Sequence, residues 1–401
     1  MKPIAFVIPW YSETIPGGAE MELRELSQEL TKAGTRVEIL TTCVKEFSSD
    51  WSENYYKPGV EEILGVPVRR FKADSRNAEA FHQVNYKFMN HMPVSLQEEE
   101  LFMREMVNSQ AMYQYMEEHQ EEYALFVFIP YMFGTTYYGM QICPEKTILI
   151  PCFHDEPYAH MKLFQKVCPT VRGMIFNAKP EEDLAKRLYG MEEAYLETFG
   201  VGMHTDIWGE EEKFRAKYHI TEPYILYAGR KDSGKNVDTL ITYFREYRLR
   251  NEGALKLVLL GGGTIDIPND CKEDIIDLGF VPVEDKYNAC AGSLLLCQPS
   301  KNESFSLVIM ESWLCKRPVL VHEHCEVTKH FAITSKGGLY FKNYFEFEGC
   351  VNYIRSHPQL AKQMGESGCA FVKSNFDWSV VVRKYQEYFR KVTNYEENSN
   401  N

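Results

Sequence analysis

The sequence predicts an α/β protein of two domains, each built on a doubly wound parallel sheet. Three observations predict it. The chain has 401 residues, more than one hydrophobic core usually organises, so two domains of about 200 residues each are expected. Short apolar runs alternate with stretches of helical periodicity, which is the rhythm of β/α units. That series runs twice, with a join near residues 195–210.

The first series opens with a buried strand at residues 4–8, then a loop at 9–18. Residues 19–33 follow as a helix, with Met21, Leu23, Leu26 and Leu30 at helical spacing and Gly34 placed to end it. Strands are expected at 36–41, 66–71, 124–129, 147–150 and 172–177, a long helical stretch at 97–122, and a helix from about 180 to 188. The second series has strands at 224–228, 255–260, 275–278, 293–298 and 318–321, with a helix at 237–247. The tail 394–401 is polar and reads as frayed.

Composition narrows the function. The formal net charge of -13 disfavours nucleic acid, whose phosphates such a chain repels. No run reaches the roughly 18 apolar residues of a membrane span, and the N-terminus has no signal-peptide pattern. The 11 cysteines are odd in number and lack framework spacing, so reduced thiols and a cytoplasmic location are expected.

Four segments carry chemistry. The first is Glu303-Ser304-Phe305-Ser306-Leu307-Val308-Ile309-Met310-Glu311, after a buried strand and the turn Pro299-Ser300. Its apolar run suits a buried helix whose N-terminus leaves the carboxyl end of the sheet, where open α/β sheets bind ligands and free N–H groups suit a diphosphate. Glu303 on the loop and Glu311 inside the helix can accept hydrogen bonds from sugar hydroxyls; the other reading is a surface Glu beside an ordinary cap. The second is Gly229-Arg230-Lys231-Asp232-Ser233-Gly234-Lys235, in which Arg230 and Lys235 can converge on phosphate oxygens. Alone it reads equally as a solvated basic turn. The third is Pro16-Gly17-Gly18-Ala19-Glu20, where two glycines let a ligand approach a helix N-terminus; the dinucleotide fingerprint is absent. The fourth is Phe153-His154-Asp155-Glu156-Pro157, after the strand at 147–150. His154 can donate to a sugar hydroxyl or phosphate, though a lone loop histidine is often only a surface residue.

Together, in this order, the four segments resemble the family-four retaining glycosyltransferases of the GT-B fold. The family's Pro-Ser turn, Glu, seven residues, Glu and Pro-Val are met by Pro299-Ser300, Glu303, Glu311 and Pro318-Val319, and its Gly-Arg with a later Lys by Gly229, Arg230 and Lys235. Asn375-Phe376-Asp377-Trp378-Ser379 matches the opening of the family's C-terminal helix. The resemblance spans residues 4 to about 390 and implies two Rossmann-like domains facing a cleft. Domain 1–200, with a crossing helix at 377–393, would bind the acceptor, and domain 205–375 the nucleotide sugar.

The resemblance further implies transfer of a hexose from a GDP- or UDP-sugar, with retention, to a glycan or lipid-linked acceptor, in surface polysaccharide synthesis. It implies no cofactor and no metal. His154, Glu303, Arg230 and Lys235 would form the catalytic set. Gly17, Gly18, Ser306, Leu307 and Val308 would join Arg230, Lys235 and Glu303 on the donor, with Glu311 on the ribose. Two rivals are weighed: a non-catalytic partner subunit of the same fold, and a nucleotide-sugar 2-epimerase.

The sequence also departs from the family. Ser304 stands where the family commonly has Gly, Lys316-Arg317 precede Pro318, and residues 321–328 replace a Gly-Gly segment. These changes bear on the identity of the sugar. His322, Glu323, His324, Cys325 and His330 invite a zinc reading, but no CxxC or HExxH spacing supports it. Arg69, Arg70, Lys72 and Arg76 form a basic cluster with two readings, a peripheral contact with an anionic inner-membrane face or a solvated strand end.

Overall fold

In the computed structural model, which describes residues 2–191 and 194–399, alternate residues of the first strand take opposite sides. Along β1 (Ile4–Val7), Ile4 and Phe6 enter one apolar cluster, while Ala5 and Val7 enter another. A strand buried on both faces sits at the centre of a doubly covered sheet. That sheet has eight strands, adding β2 (Val37–Thr42), β3 (Gly59–Ile63), β4 (Val66–Phe71), β5 (Leu125–Phe128), β6 (Thr147–Leu149), β7 (Gly173–Phe176) and β8 (Tyr195–Thr198). The order is β3-β4-β2-β1-β5-β6-β7-β8, parallel except for the β3/β4 hairpin.

One face is covered by the helix Gly18–Lys32, through Leu23, Leu26 and Leu30, and by the helix Trp378–Ser399. The latter contributes Trp378, Val381, Val382, Tyr385, Tyr388, Phe389 and Val392 to the same cluster. The sheet and both helices belong to one unit, Met1–Gly202 with Trp378–Asn401.

The second unit is Met203–Asp377. Its sheet is entirely parallel in the order β11-β10-β9-β12-β13-β14. The strands are β9 (Tyr224–Ala228), β10 (Lys256–Leu260), β11 (Ile275–Gly279), β12 (Leu295–Gln298), β13 (Val319–His322) and β14 (Gly338–Phe341). β9 and β12 lie side by side at its centre, so the loops leaving their carboxyl ends are neighbours.

Several elements differ from the sequence reading. The stretch 97–122 is two α-helices, Leu96–Arg104 and Gln110–His119, followed by a short turn. Asn108 causes the break: its amide donates to the carbonyls of Met103, Arg104 and Met106, and Ser109 caps the second helix. The strand β3 has no sequence signal because four of its five residues are exposed at the sheet edge. At the tail, the helix runs on through Ser399 where an irregular segment was expected; residues 400–401 lie outside the described residues.

The basic cluster is dispersed. Arg70 is buried, bonded to Glu61 and to the Tyr11 carbonyl. Arg69 pairs with Glu38 at 2.9 Å and lies over the Tyr115 ring, and Arg76 lies over Trp51 and Phe81. Arg69, Arg70 and Arg76 therefore do not present one basic face, and Lys72 alone of the cluster is exposed. Among the described residues, no helix is long and apolar enough to cross a membrane.

Candidate functional site

In the second unit, β12 delivers the turn Pro299-Ser300 and then the loop carrying Glu303. The buried ring of Phe305 fastens this loop edge-on against Phe331 and Phe376. Ser306 follows with φ 79 and ψ 79, a left-handed conformation strained for any residue but glycine. Its hydroxyl is buried and without a hydrogen-bond partner among the described residues. The helix Leu307–Leu314 starts there, so the N–H groups of Leu307 and Val308 precede any acceptor one turn back. Strain, an orphan hydroxyl and free helix N–H groups thus converge on one point.

Two side chains named from sequence meet directly. Lys235 Nζ lies 2.7 Å from Glu303 Oε1, and both are largely shielded from solvent. Asn236 ties the two loops together, since its amide donates to the Pro299 carbonyl at 3.0 Å. Arg230 lies on the same loop as Lys235 but is held loosely: its side chain is 76% exposed and 3.5 Å from Asp232.

The loop's path is set from below. Cβ atoms at Gly261 and Gly263 would sit 2.2 Å from the Gly229 carbonyl and 2.7 Å from the Lys231 carbonyl. Lys231 itself turns inward and bonds Asp277 at 2.5 Å. Beside it opens a cavity of about 300 Å³, lined by Lys231, Asp232, Ser233, Asp238 and residues 264–266.

Glu311 does not join the Lys235–Glu303 pair. Its carboxylate accepts from Lys286 Nζ at 2.5 Å and from the Tyr287 hydroxyl at 3.5 Å. Lys286, Tyr287 and Lys231 were missed in the sequence. Their partners lie 24 to 46 residues away, and only the lysine in the Gly-Arg-Lys run gave a hint.

In the first unit, Gly17 and Gly18 lie where β1 passes into the helix Gly18–Lys32. Gly17 has φ 138, and a Cβ there would lie 2.0 Å from the Glu20 carboxylate. That carboxylate accepts from the Trp10 indole at 2.5 Å. Gly18 is different, since a Cβ there meets nothing within 4 Å. His154 sits on the loop after β6, with Nδ1 3.7 Å from Glu156 Oε1.

The histidines of the zinc reading pack instead of gathering ligands. His322 is buried against Phe341, and its Nδ1 accepts the His324 N–H at 3.1 Å. Burial pushes its pKa down to about 4. Among the described residues, no group of three or more His, Cys, Asp or Glu is arranged to hold a metal ion. The described cysteines are free thiols.

Known proteins agree with this architecture. The chain aligns over 98% of its length with sucrose-phosphate synthase from Thermosynechococcus elongatus, covering 99% of that chain at 17% identity and TM-score 0.69. It covers 100% of Anabaena HepE, solved with UDP and glucose, over 98% of its own length at 14% identity and TM-score 0.66. It covers 99% of WaaG, a glycosyltransferase involved in lipopolysaccharide biosynthesis, over 97% of its own length at 12% identity and TM-score 0.61. At these identities the likeness is one of fold, and the fold is GT-B. No curated protein matches the chain in sequence. Residues 210–369, nearly all of the second unit, match the family described as Glycosyl transferases group 1.

Proposed function

We propose that this protein transfers a hexose from a nucleoside diphosphate sugar to a hydroxyl of a glycan or lipid-linked acceptor, with retention at the anomeric carbon. The observation that carries the reading is the Lys235–Glu303 pair beside the strained start of the helix Leu307–Leu314. It sets a cation and an anion where a diphosphate and its sugar would divide them.

When the bond from the anomeric carbon to the diphosphate breaks, negative charge grows on the leaving group. Lys235 and the N–H groups of Leu307 and Val308 are the donors suited to it, fixed in place before the reaction, and Arg230 adds a loosely held cation on the Lys235 loop. Glu303 would accept from hydroxyls of the donor sugar, and Glu311, steadied by Lys286, from the ribose. His154, Gly17 and Gly18 are the candidates of the first unit, and that unit would take the acceptor. With side-chain cations on the diphosphate, the reaction needs no divalent metal. A uridine nucleotide is favoured over a guanosine one, because HepE was solved with UDP.

Thermal shift with UDP-glucose and GDP-mannose selects the donor, since binding to the native state raises the melting temperature. NMR of the product then reads its anomeric configuration. An inverted product refutes retention. Activity lost in EDTA and restored by Mg²⁺ or Mn²⁺ refutes the metal-free reading.

A further inference from the structure

Beneath the His154 loop lies a buried acidic pair, Glu22 and Glu181, which the reaction itself does not use. Glu181 stands in the first turn of the helix Lys179–Tyr189 and is 1% exposed. Its two oxygens accept from two different strand ends. Oε1 takes the N–H of Phe153 at 2.6 Å, just beyond β6, and Oε2 takes the N–H of Asn177 at 2.7 Å, just beyond β7. Asn177 passes the link to the helix Gly18–Lys32, its amide donating to Glu22 Oε2 at 3.0 Å.

An acidic residue capping its own helix explains the Asn177 bond alone. It does not explain the Phe153 bond, which reaches 28 residues back to the residue before His154. The backbone there is under tension, since Cys152 has φ 57, a left-handed conformation for a side chain of its size. A fixed hydrogen-bond acceptor for the Phe153 N–H holds such a segment in place. The far side of the loop is held too: the Tyr131 hydroxyl bonds Glu156 at 3.0 Å, and Arg187 bonds Asp155 at 2.7 Å.

We propose that Glu181 is a positioning residue for His154, its carboxylate pinning the Phe153 backbone so that the imidazole is presented in one orientation. This rests on the reading of His154 as part of the transfer site. Burying a carboxyl under a loop is unfavourable in itself. Burial indeed pushes Glu181 up to about 8, against the N–H bonds that pull it down. A carboxyl buried there, bonded to two separate strand ends, fits a geometric task better than a contribution to stability.

The test uses the full-length protein as wild type, Glu181→Gln, Glu181→Ala and His154→Ala. Three readouts are taken: hydrogen exchange of the Phe153 amide, the His154 imidazole resonance (identified by its loss in His154→Ala), and initial rates with whichever of UDP-glucose and GDP-mannose binds. In Glu181→Ala we expect Phe153 to lose protection at least about tenfold and the His154 resonance to move or broaden. We expect kcat to fall about 10- to 100-fold with KM little changed, because misplacing a reacting group by about 1 Å can lower rates that much. Glu181→Gln keeps one acceptor and should fall between, which also serves if the alanine variant folds poorly.

Wild-type kcat and Phe153 protection in both Glu181 variants, beside an inactive His154→Ala, overturn the positioning role alone. Full activity in His154→Ala overturns the site reading and with it any part for Glu181 in turnover. In that case the loss of Phe153 protection still shows the anchoring to be real.

Discussion

Lys235 Nζ and Glu303 Oε1 stand 2.7 Å apart, joined across 68 residues of sequence by two neighbouring strands, β9 and β12. Each therefore neutralises the other. On the proposed reading, a donor would separate them, its phosphates drawing the lysine and its sugar hydroxyls the glutamate.

Replacing Lys235 with Ala should lower kcat/KM about 10²- to 10³-fold, the usual loss for one charge-stabilising donor. Arg230→Ala should cost less, because its side chain is 76% exposed and lightly tethered. Lys235→Ala combined with Glu303→Gln should be less damaging than the product of the single effects, since residues in contact couple. Steady-state kinetics of the three single variants and the double variant checks this; strict multiplicativity would deny that the pair acts as a unit.

Glu303→Gln and Glu311→Gln should separate in kinetics. The first is expected to lower kcat, because the donor sugar is the part whose geometry changes in the transition state. The second should raise KM for the donor, because ribose contacts stay similar throughout. Lys286→Ala should imitate Glu311→Gln in weaker form, as it frees the carboxylate that Lys286 now holds at 2.5 Å. Slight and equal effects in all three variants would favour a non-catalytic subunit.

Adjacent glycines should behave oppositely. Gly17→Ala puts a methyl into the Glu20 carboxylate and forces φ 138 on a residue that resists it, so its melting temperature should drop. Gly18→Ala meets no obstacle and should fold like wild type, yet lose donor affinity if a ligand approaches that backbone. Thermal melts beside donor titrations decide it, and a Gly18→Ala protein of unaltered affinity removes Gly18 from the site.

Glu22 offers a test by pH. Burial holds its folded-state pKa near 8, above the value of 4.5 of an unhindered glutamate. Between those limits the native state keeps a proton that the unfolded chain has released, so stability falls as pH rises from about 4.5 to about 8. Glu22→Gln removes the Glu22 share of this dependence, leaving that of Glu181, and keeps an oxygen for Asn177. The variant should match wild type near pH 4.5, melt higher at pH 8, and show a flatter profile between.

The β/α rhythm and the loop–helix segment from Glu303 to Glu311 were legible because local periodicity produced them. In the run Leu307-Val308-Ile309-Met310, Ile309 and Met310 are buried and Leu307 and Val308 partly so, as a helix start at a sheet's carboxyl end requires. What escaped was what distant segments decide. Nothing local to Glu22, Glu181 or Lys286 distinguishes a buried partner from an ordinary polar residue on a helix. Arg69 and Arg70 looked like a surface patch until Glu38 and Glu61 arrived from neighbouring strands. His322 is a similar case, since it ends a buried strand and its ring packs against Phe341, which none of its sequence neighbours announces.

The helix Trp378–Ser399 makes the first unit a discontinuous one and the second an insertion. The ends of the insertion touch, with the Met203 N–H donating to the Phe376 carbonyl at 2.7 Å and Met203 bridging Asp377. On the other side of that seam, Gly202 lies flat against the Trp378 indole, where even a methyl group would come within 2.1 Å of the ring. Cutting the chain after Asp377 therefore leaves the second unit whole but strips the first of a row of buried aromatic and branched side chains, each worth about 1.5–3 kcal/mol. Excising residues 203–377 and splicing Gly202 to Trp378 through a short linker should leave a foldable remnant. Circular permutants opened at the same seam would keep every strand in register while changing which unit the ribosome finishes first.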